Sequence, residues 1–188
     1  MKKSLIAVSG ILFSLVSCAS VRVPVPGEAQ VKKNNIYIEY MAIADAYNDL
    51  AKYDKAITYY QLAAKNRDLY WTALYKTGRA YAMNKNWAES KKIYQKLLER
   101  DADNTVLKMS LAYICAMDGD FEDSEKIYSE LWEASKDNQD VLVNYINVLF
   151  AREKTEEASS LVAVLKEKFK DNSNIPTFEK KLADSEKE

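Results

Sequence analysis

The amino-acid sequence predicts an all-α solenoid of four helix-turn-helix repeats, followed by a capping helix. Two observations lead to this prediction. From Ile36 onward, apolar residues recur at steps of three and four, which is the spacing of one face of a helix. The chain also matches itself when it is shifted by 34 residues: GRAYAMNKNWAESKKIYQKL, beginning at Gly78, returns as AYICAMDGDFEDSEKIYSEL, beginning at Ala112. A fixed period of this length is typical of stacked repeats.

The composition is that of a globular chain with balanced charge. Of 188 residues, 27 are basic and 28 are acidic, and histidine is absent. Removal of Lys2 and Lys3 with the leader described below leaves 25 against 28, a net charge of −3. Nucleic-acid binding requires a basic face, so no nucleic-acid partner is expected. Without histidine the chain lacks the commonest general base and zinc ligand, and we predict no enzymatic activity and no cofactor.

Residues 1–17 have the features of a bacterial secretory signal that is removed. Two lysines precede an apolar run, residues 5–16, that is too short to span a bilayer comfortably. The run leads into LVSC, residues 15–18, which resembles the lipobox of bacterial lipoproteins. The resemblance implies cleavage before Cys18 and lipidation of its thiol, and two or three acyl chains anchor a protein stably. The alternative is an ordinary signal peptide that is cut elsewhere.

Residues 18–35 are predicted to form a lipidated N-terminus and a flexible tether. Pro24, Pro26 and Gly27 interrupt any helix, and the stretch lacks apolar periodicity. At about 3.1 Å per residue, some seventeen residues would reach roughly 50 Å from the membrane. Ala19 follows the cysteine, and the lack of aspartate there resembles the outer-membrane sorting preference of some diderm bacteria. We therefore expect a protein of the bacterial cell envelope, lipid-anchored at the outer membrane and facing the periplasm.

Residues 36–170 are predicted to form the repeats, at about 37–70, 71–104, 105–138 and 139–170. Small residues recur at one column of the first helix: Ala44, Gly78 and Ala112. Aromatic residues recur at the start of the second helix: Tyr53, Trp87 and Phe121. Small side chains let paired helices approach closely, and aromatic rings fill the space between neighbours. One pair cannot bury its own apolar face, so the pairs must stack.

This pattern resembles the tetratricopeptide repeat (TPR), and the resemblance covers residues 37 to about 170. It implies a right-handed superhelix in which the first helices of successive repeats line a concave groove. Some members of the family bind C-terminal carboxylates through lysines and asparagines in this groove. Met41, Asp45 and Met109 occupy three of those positions here, so recognition by that mechanism is not expected.

Residues 171–188 are predicted to form a capping helix and a charged tail. Phe178 and Leu182 give this segment one apolar face, and its other faces are charged. A terminal cap of this kind covers the last repeat and keeps a repeat array soluble.

The concave groove is the candidate binding surface. Ten residues are assigned to it by their repeat columns: Met41, Asp45, Tyr75, Arg79, Met83, Met109, Tyr113, Met117, Asn147 and Phe150. They include all four methionines that follow Cys18, and flexible thioethers suit surfaces that adapt to apolar ligands. The alternative is that the methionines only fill gaps between adjacent first helices.

Two other features are predicted to be structural. Cys115 falls in a column of the core and is expected to act as a small apolar residue. The acidic stretch 118–123 faintly resembles a calcium loop, but it lacks the alternating oxygen ligands and the closing glutamate. No metal site is therefore expected.

These observations predict a non-enzymatic scaffold or adaptor that holds a segment of another envelope protein in its groove. The alternative is an accessory component of an envelope transporter that binds a small hydrophobic molecule. The two differ in shape, because a protein-binding groove is open along its length and a small-molecule site closes into a pocket. The sequence leaves the oligomeric state open.

Overall fold

The computed structural model describes residues 26–185, which form nine α-helices and no strand. The helices are α1 (Glu28–Asp49), α2 (Tyr53–Ala63), α3 (Tyr70–Met83), α4 (Trp87–Arg100), α5 (Thr105–Asp118), α6 (Phe121–Ala134), α7 (Gln139–Ala151), α8 (Thr155–Lys168) and α9 (Ile175–Ser185). Each helix packs against the next along the chain. The predicted all-α solenoid of four helix pairs with a capping helix is confirmed. The signal peptide, Cys18 and the ends of the chain lie outside the described residues.

The first helix begins eight residues earlier than predicted. Gly27 precedes it with a left-handed φ of 86°, and α1 then starts at Glu28. The part of the predicted tether from 28 to 35 is therefore helical. Lys32 lies 2.5 Å from Glu28, and Gln30 donates a hydrogen bond of 3.0 Å to Asn34, both one turn apart. Residues 28–35 lack the apolar periodicity from which the helices were predicted, because an exposed extension of a helix buries no apolar face.

The turn within each repeat places one residue in the left-handed region. These residues are 34 positions apart: Ala51 (φ 53°), Lys85 (φ 58°), Gly119 (φ 87°) and Glu153 (φ 58°). A residue in the left-handed conformation ends a helix by turning the chain sharply, and glycine adopts this conformation with the least strain. Only the third repeat has glycine at this position.

Side-chain caps define where four of the helices begin. Asn86, Asn104, Asp120 and Asn138 precede α4, α5, α6 and α7, and each side chain accepts a hydrogen bond from a backbone N–H in the first turn. These bonds satisfy donors that have no partner within the helix.

The C-terminal helix covers the end of the core as predicted. Phe178 of α9 is 1% exposed and packs in a cluster that includes Val162 and Leu165 of α8. Among the described residues, no helix combines the length and the apolar character that crossing a bilayer requires.

The opposite end of the array has no such cover within the described residues. Ile43 of α1 is 38% exposed, whereas Thr77 and Leu111, at the same position in the next two repeats, are 3% and 8% exposed. Thr77 and Leu111 lie on helices that pack against the second helix of the preceding repeat. Within residues 26–185 no helix pair precedes the first repeat, and Ile43 there lies at the surface.

Candidate functional site

The first helices α3, α5 and α7 form a groove with a cavity of about 330 Å³, here called the first cavity. Five of the ten predicted residues line it: Tyr75, Arg79, Met83, Met109 and Tyr113. They meet because a shift of 34 residues places Arg79 and Tyr113 at the same position on neighbouring first helices.

A second cavity of about 370 Å³ continues the groove toward α7. Three predicted residues line it: Tyr113, Met117 and Asn147. Tyr113, Tyr128 and Asn144 line both cavities. The two cavities are therefore adjoining parts of one groove, and Tyr113 stands at their junction.

The other three predicted residues lie outside both cavities. Asp45 is held by α2 of its own repeat and α3 of the next: Lys76 Nζ lies 2.6 Å from Oδ1 and 2.7 Å from Oδ2, and the Tyr60 hydroxyl donates a hydrogen bond of 2.6 Å to Oδ1. Phe150 is covered from α9, since the Phe178 ring lies 5.9 Å from it, centroid to centroid. Met41 packs against the core of the first repeat.

The four methionines divide between surface and core. Met83 and Met117 are 53% and 47% exposed and lie at the rim of the groove. Met41 and Met109 are partly buried and pack against core clusters. Both interpretations of the methionines thus describe some of them: two fill gaps between helices, and two present thioethers at the groove surface.

Tyrosine rings form the floor of the first cavity. The rings of Tyr75 and Tyr94 lie edge to face, 6.0 Å between centroids. Burial raises the pKa of Tyr94 to about 12 and also raises the pKa of Tyr128. Both phenols are therefore neutral at physiological pH, since burial disfavours the phenolate. Tyr94 and Tyr128 are buried in the core, and both also line the first cavity.

Arg79 is the one charged residue among those lining the two cavities. Its side chain is exposed. Within residues 26–185 it has no ion-pair or hydrogen-bond partner, whereas Lys76 and Asp45 beside it neutralise each other. The groove is thus apolar and aromatic with a single unpaired positive charge near one end.

Sequence reasoning missed one polar column of the groove. Ser110 and Asn144 line the cavities at positions three residues before Tyr113 and Asn147. Lys76 occupies the same column in the second repeat. Residues three apart lie on the same side of a helix. The polar residues one turn before Arg79, Tyr113 and Asn147 could therefore have been predicted to line the groove as well.

A separate polar cluster lies at the turn between α5 and α6. The Sγ of Cys115 and carboxylate oxygens of Asp120 and Asp123 lie within 4.8 Å of one another. Lys91 Nζ, from α4, lies 2.5 Å from Asp120 and 3.2 Å from Asp123. Hydrogen bonding to Lys91 lowers the pKa of Asp120, and burial raises the pKa of the Cys115 thiol. The ammonium group of Lys91 supplies the cation here, and the cluster joins two repeats.

Comparison with known proteins identifies the family. A profile described as tetratricopeptide repeat matches residues 41–105, and a second profile with the same description matches residues 116–181. The chain belongs to the tetratricopeptide repeat family.

One relative is similar in sequence over part of its length. An uncharacterized lipoprotein of Treponema pallidum (strain Nichols) is 32% identical over 75 residues, which are 40% of this chain. The matched stretch spans only 38% of that protein, well short of its full length.

Several solved structures share the fold at low sequence identity. MamA from Desulfovibrio magneticus RS-1 has a TM-score of 0.66 and 13% identity, covering 77% of this chain and 81% of that one. YrrB, described as a TPR protein with an unusual peptide-binding site, has a TM-score of 0.63 and 17% identity, covering 84% and 83%. A tetratricopeptide repeat protein from Parabacteroides merdae has a TM-score of 0.61 and 18% identity, covering 85% and 68%. At these identities the likeness supports the fold alone.

Proposed function

We propose that this protein is a non-enzymatic scaffold that holds a segment of another protein in the groove formed by α3, α5 and α7. The observation that carries the proposal is the continuity of the two cavities, which share Tyr113, Tyr128 and Asn144. Tyr113 is 49% exposed, and Met83 and Met117 at the rim are similarly exposed. An open groove of this form suits a polypeptide that lies across several repeats.

The family supports this function at a coarser level. Tetratricopeptide arrays are interaction modules, and YrrB, which shares the fold, is described as having a peptide-binding site. Nothing in the groove assembles a nucleophile with a general base, which an enzymatic site of the hydrolase type would need.

The scaffold is proposed to act in the bacterial cell envelope, anchored by lipid on Cys18 and facing the periplasm from the outer membrane. Support comes from the sequence LVSC, residues 15–18, and from the Treponema pallidum relative, which is named a lipoprotein. The partner is then another envelope protein. The tether that would separate the repeats from the membrane is shorter than first expected, because α1 begins at Glu28.

A second candidate is an accessory transporter component that binds a small hydrophobic molecule. The first cavity favours it in one respect, since about 330 Å³ falls at the lower end of the range of small-molecule sites. Its aromatic floor, Tyr75 and Tyr94, would suit an apolar ligand. Its exposed rim residues argue for the scaffold, because they leave the cavity open to solvent.

Photo-crosslinking in living cells distinguishes the scaffold from the small-molecule-binding component. The full chain carries benzoylphenylalanine in place of Tyr113, and adducts are identified by mass spectrometry. The matched control carries the same group in place of Gln95, which is exposed on α4 and lines neither cavity.

Capture of one defined envelope protein from position 113, and not from position 95, would support the scaffold. Equal capture from both positions would show that the groove is not the interface and would contradict the proposal. If position 113 captures no protein and the purified chain carries a bound small molecule that Tyr113→Ala releases, the second candidate replaces the first.

A further inference from the structure

The charge pattern of the groove indicates what kind of segment it holds. Sixteen side chains line the two cavities, and of these only Arg79 is charged. The others are apolar, aromatic or neutral polar. Near this end of the groove, Lys76 and Asp45 form a close ion pair of 2.6 Å.

No acidic side chain in the described part of the chain forms an ion pair with Arg79. Burial raises the pKa values of Tyr60 and Tyr94, and the positive charge of the Arg79 guanidinium opposes that rise, so the charge acts on these nearby phenols. Asp45 does not neutralise Arg79, because its two oxygens bind Lys76 and its Oδ1 also accepts from Tyr60. The described part of the chain therefore leaves one guanidinium available at the mouth of an apolar cavity.

We propose that the groove selects a polypeptide segment with an acidic side chain next to a large apolar or aromatic side chain. The carboxylate pairs with Arg79, and the apolar side chain enters the first cavity between Tyr75, Tyr94 and Tyr113. A guanidinium binds a carboxylate through two parallel hydrogen bonds, which fixes its orientation. The apolar contact supplies most of the affinity, and the charge sets the register and excludes basic segments.

This inference rests on the proposed function, because it names the partner chemistry of the same groove. It differs from carboxylate-terminus recognition, since the acid is a side chain within the segment and Arg79 is its single cationic partner. A polypeptide segment also extends into the adjoining cavity, toward Met117 and Asn147, which a small acidic molecule bound in the first cavity would not reach.

Selection of peptides from a random twelve-residue display library tests it. The immobilised full chain is compared with its Arg79→Met and Arg79→Glu variants, and with Arg67→Glu as the matched control. Arg67 is exposed, and it lies in the loop between α2 and α3 outside both cavities. Circular dichroism and urea unfolding confirm that all four proteins are equally folded.

The unchanged chain and Arg67→Glu should both enrich peptides with Asp or Glu at a constant distance from an aromatic or large aliphatic residue. Arg79→Met should keep the apolar residue and lose the acid, and Arg79→Glu should enrich Lys or Arg at the same place. Replacing the acid by its amide in a selected peptide should weaken binding to the unchanged chain by up to about fivefold and leave binding to Arg79→Met unchanged.

The outcomes separate this inference from the proposed function. Enrichment of an apolar motif without an acid would overturn the acidic-segment inference and keep the peptide groove. The same motif from Arg79→Glu as from the unchanged chain would overturn it as well. No enrichment on any of the four proteins, or peptides whose binding survives Tyr113→Ala unchanged, would contradict the peptide groove itself.

Discussion

The hydroxyl of Ser90 donates a hydrogen bond of 2.8 Å to the backbone carbonyl oxygen of Gly78. This hydrogen bond joins α3 to α4, and Ser90 is fully buried. A β-carbon on residue 78 would lie 2.7 Å from Ile93 Cγ2 and 3.1 Å from Tyr94 Cε2. The small residue in this column therefore serves helix packing, as the repeat pattern predicts.

Gly78→Ala should lower the free energy of unfolding by about 1 kcal/mol. Overpacking costs about 1–3 kcal/mol, and the better helix propensity of alanine offsets up to about 1 kcal/mol of that. Urea unfolding followed by circular dichroism measures the difference. Ile93→Ala in the same chain removes the closest of these contacts, to Ile93 Cγ2, so the double variant should be more stable than the sum of the two single effects. A gain in stability from Gly78→Ala alone would show that propensity outweighs packing here.

Two substitutions at the left-handed turn positions should change stability in opposite directions. Gly119→Ala should destabilise the fold by about 1 kcal/mol, because L-residues are strained at this φ. A β-carbon at 119 meets nothing within 4 Å, so the loss is confined to the backbone. Lys85→Gly, at the same position in the second repeat, should stabilise by about 0.5 kcal/mol, after allowance for the greater freedom of glycine in the unfolded chain. Thermal unfolding would contradict this account if both substitutions shifted the midpoint in the same direction.

Tyr113→Ala should separate binding from folding. Its side chain is 49% exposed at the junction of the two cavities, so its removal should change the free energy of unfolding by less than about 0.5 kcal/mol. Retention of the protein partner identified by crosslinking should fall several-fold in pull-down experiments. Leu50→Ala, which removes a side chain that is 63% exposed outside the groove, is the control and should leave retention unchanged. A large loss of stability would instead assign Tyr113 to the core.

Alkaline pH should weaken the fold through the buried tyrosines. The pKa of Tyr94 is about 12 in the folded protein because of burial, against about 10 in an unfolded chain. The neutral phenol is the form that the fold favours, so this contribution is complete below pH 10 and is lost as the pH rises from 10 to 12. Urea midpoints measured from pH 8 to pH 12 should therefore decline above pH 10. Tyr94→Phe should show a shallower decline, with the remainder arising from other groups whose pKa is raised in the folded protein, among them Tyr60, Tyr128 and Lys91. An unchanged slope would exclude Tyr94 as a source.

Much of the groove was predictable because two local periodicities determine it. The helical period selects the face of each first helix, and the repeat of 34 residues places equivalent faces side by side. Arg79, Tyr113 and Asn147 were assigned in this way, and they line adjoining cavities. Asp45 lies in the same column, but its carboxylate is occupied by hydrogen bonds from Lys76 and Tyr60. A column identifies a face of the helix and does not say which side chains from other helices already occupy it.

The sequence by itself determined the helices, the four repeats, the capping helix and the column to which each residue belongs, because these depend on spacing along the chain. Tertiary structure alone decided which members of a column remain available. Phe150 is covered because α9 folds back onto it, and Asn144 reaches the groove because α7 stands next to α5. Within the described residues Arg79 keeps an unpaired charge, because both carboxylate oxygens of Asp45 bind Lys76. Such outcomes depend on distances between helices that are far apart in sequence, and spacing within one helix carries no information about them.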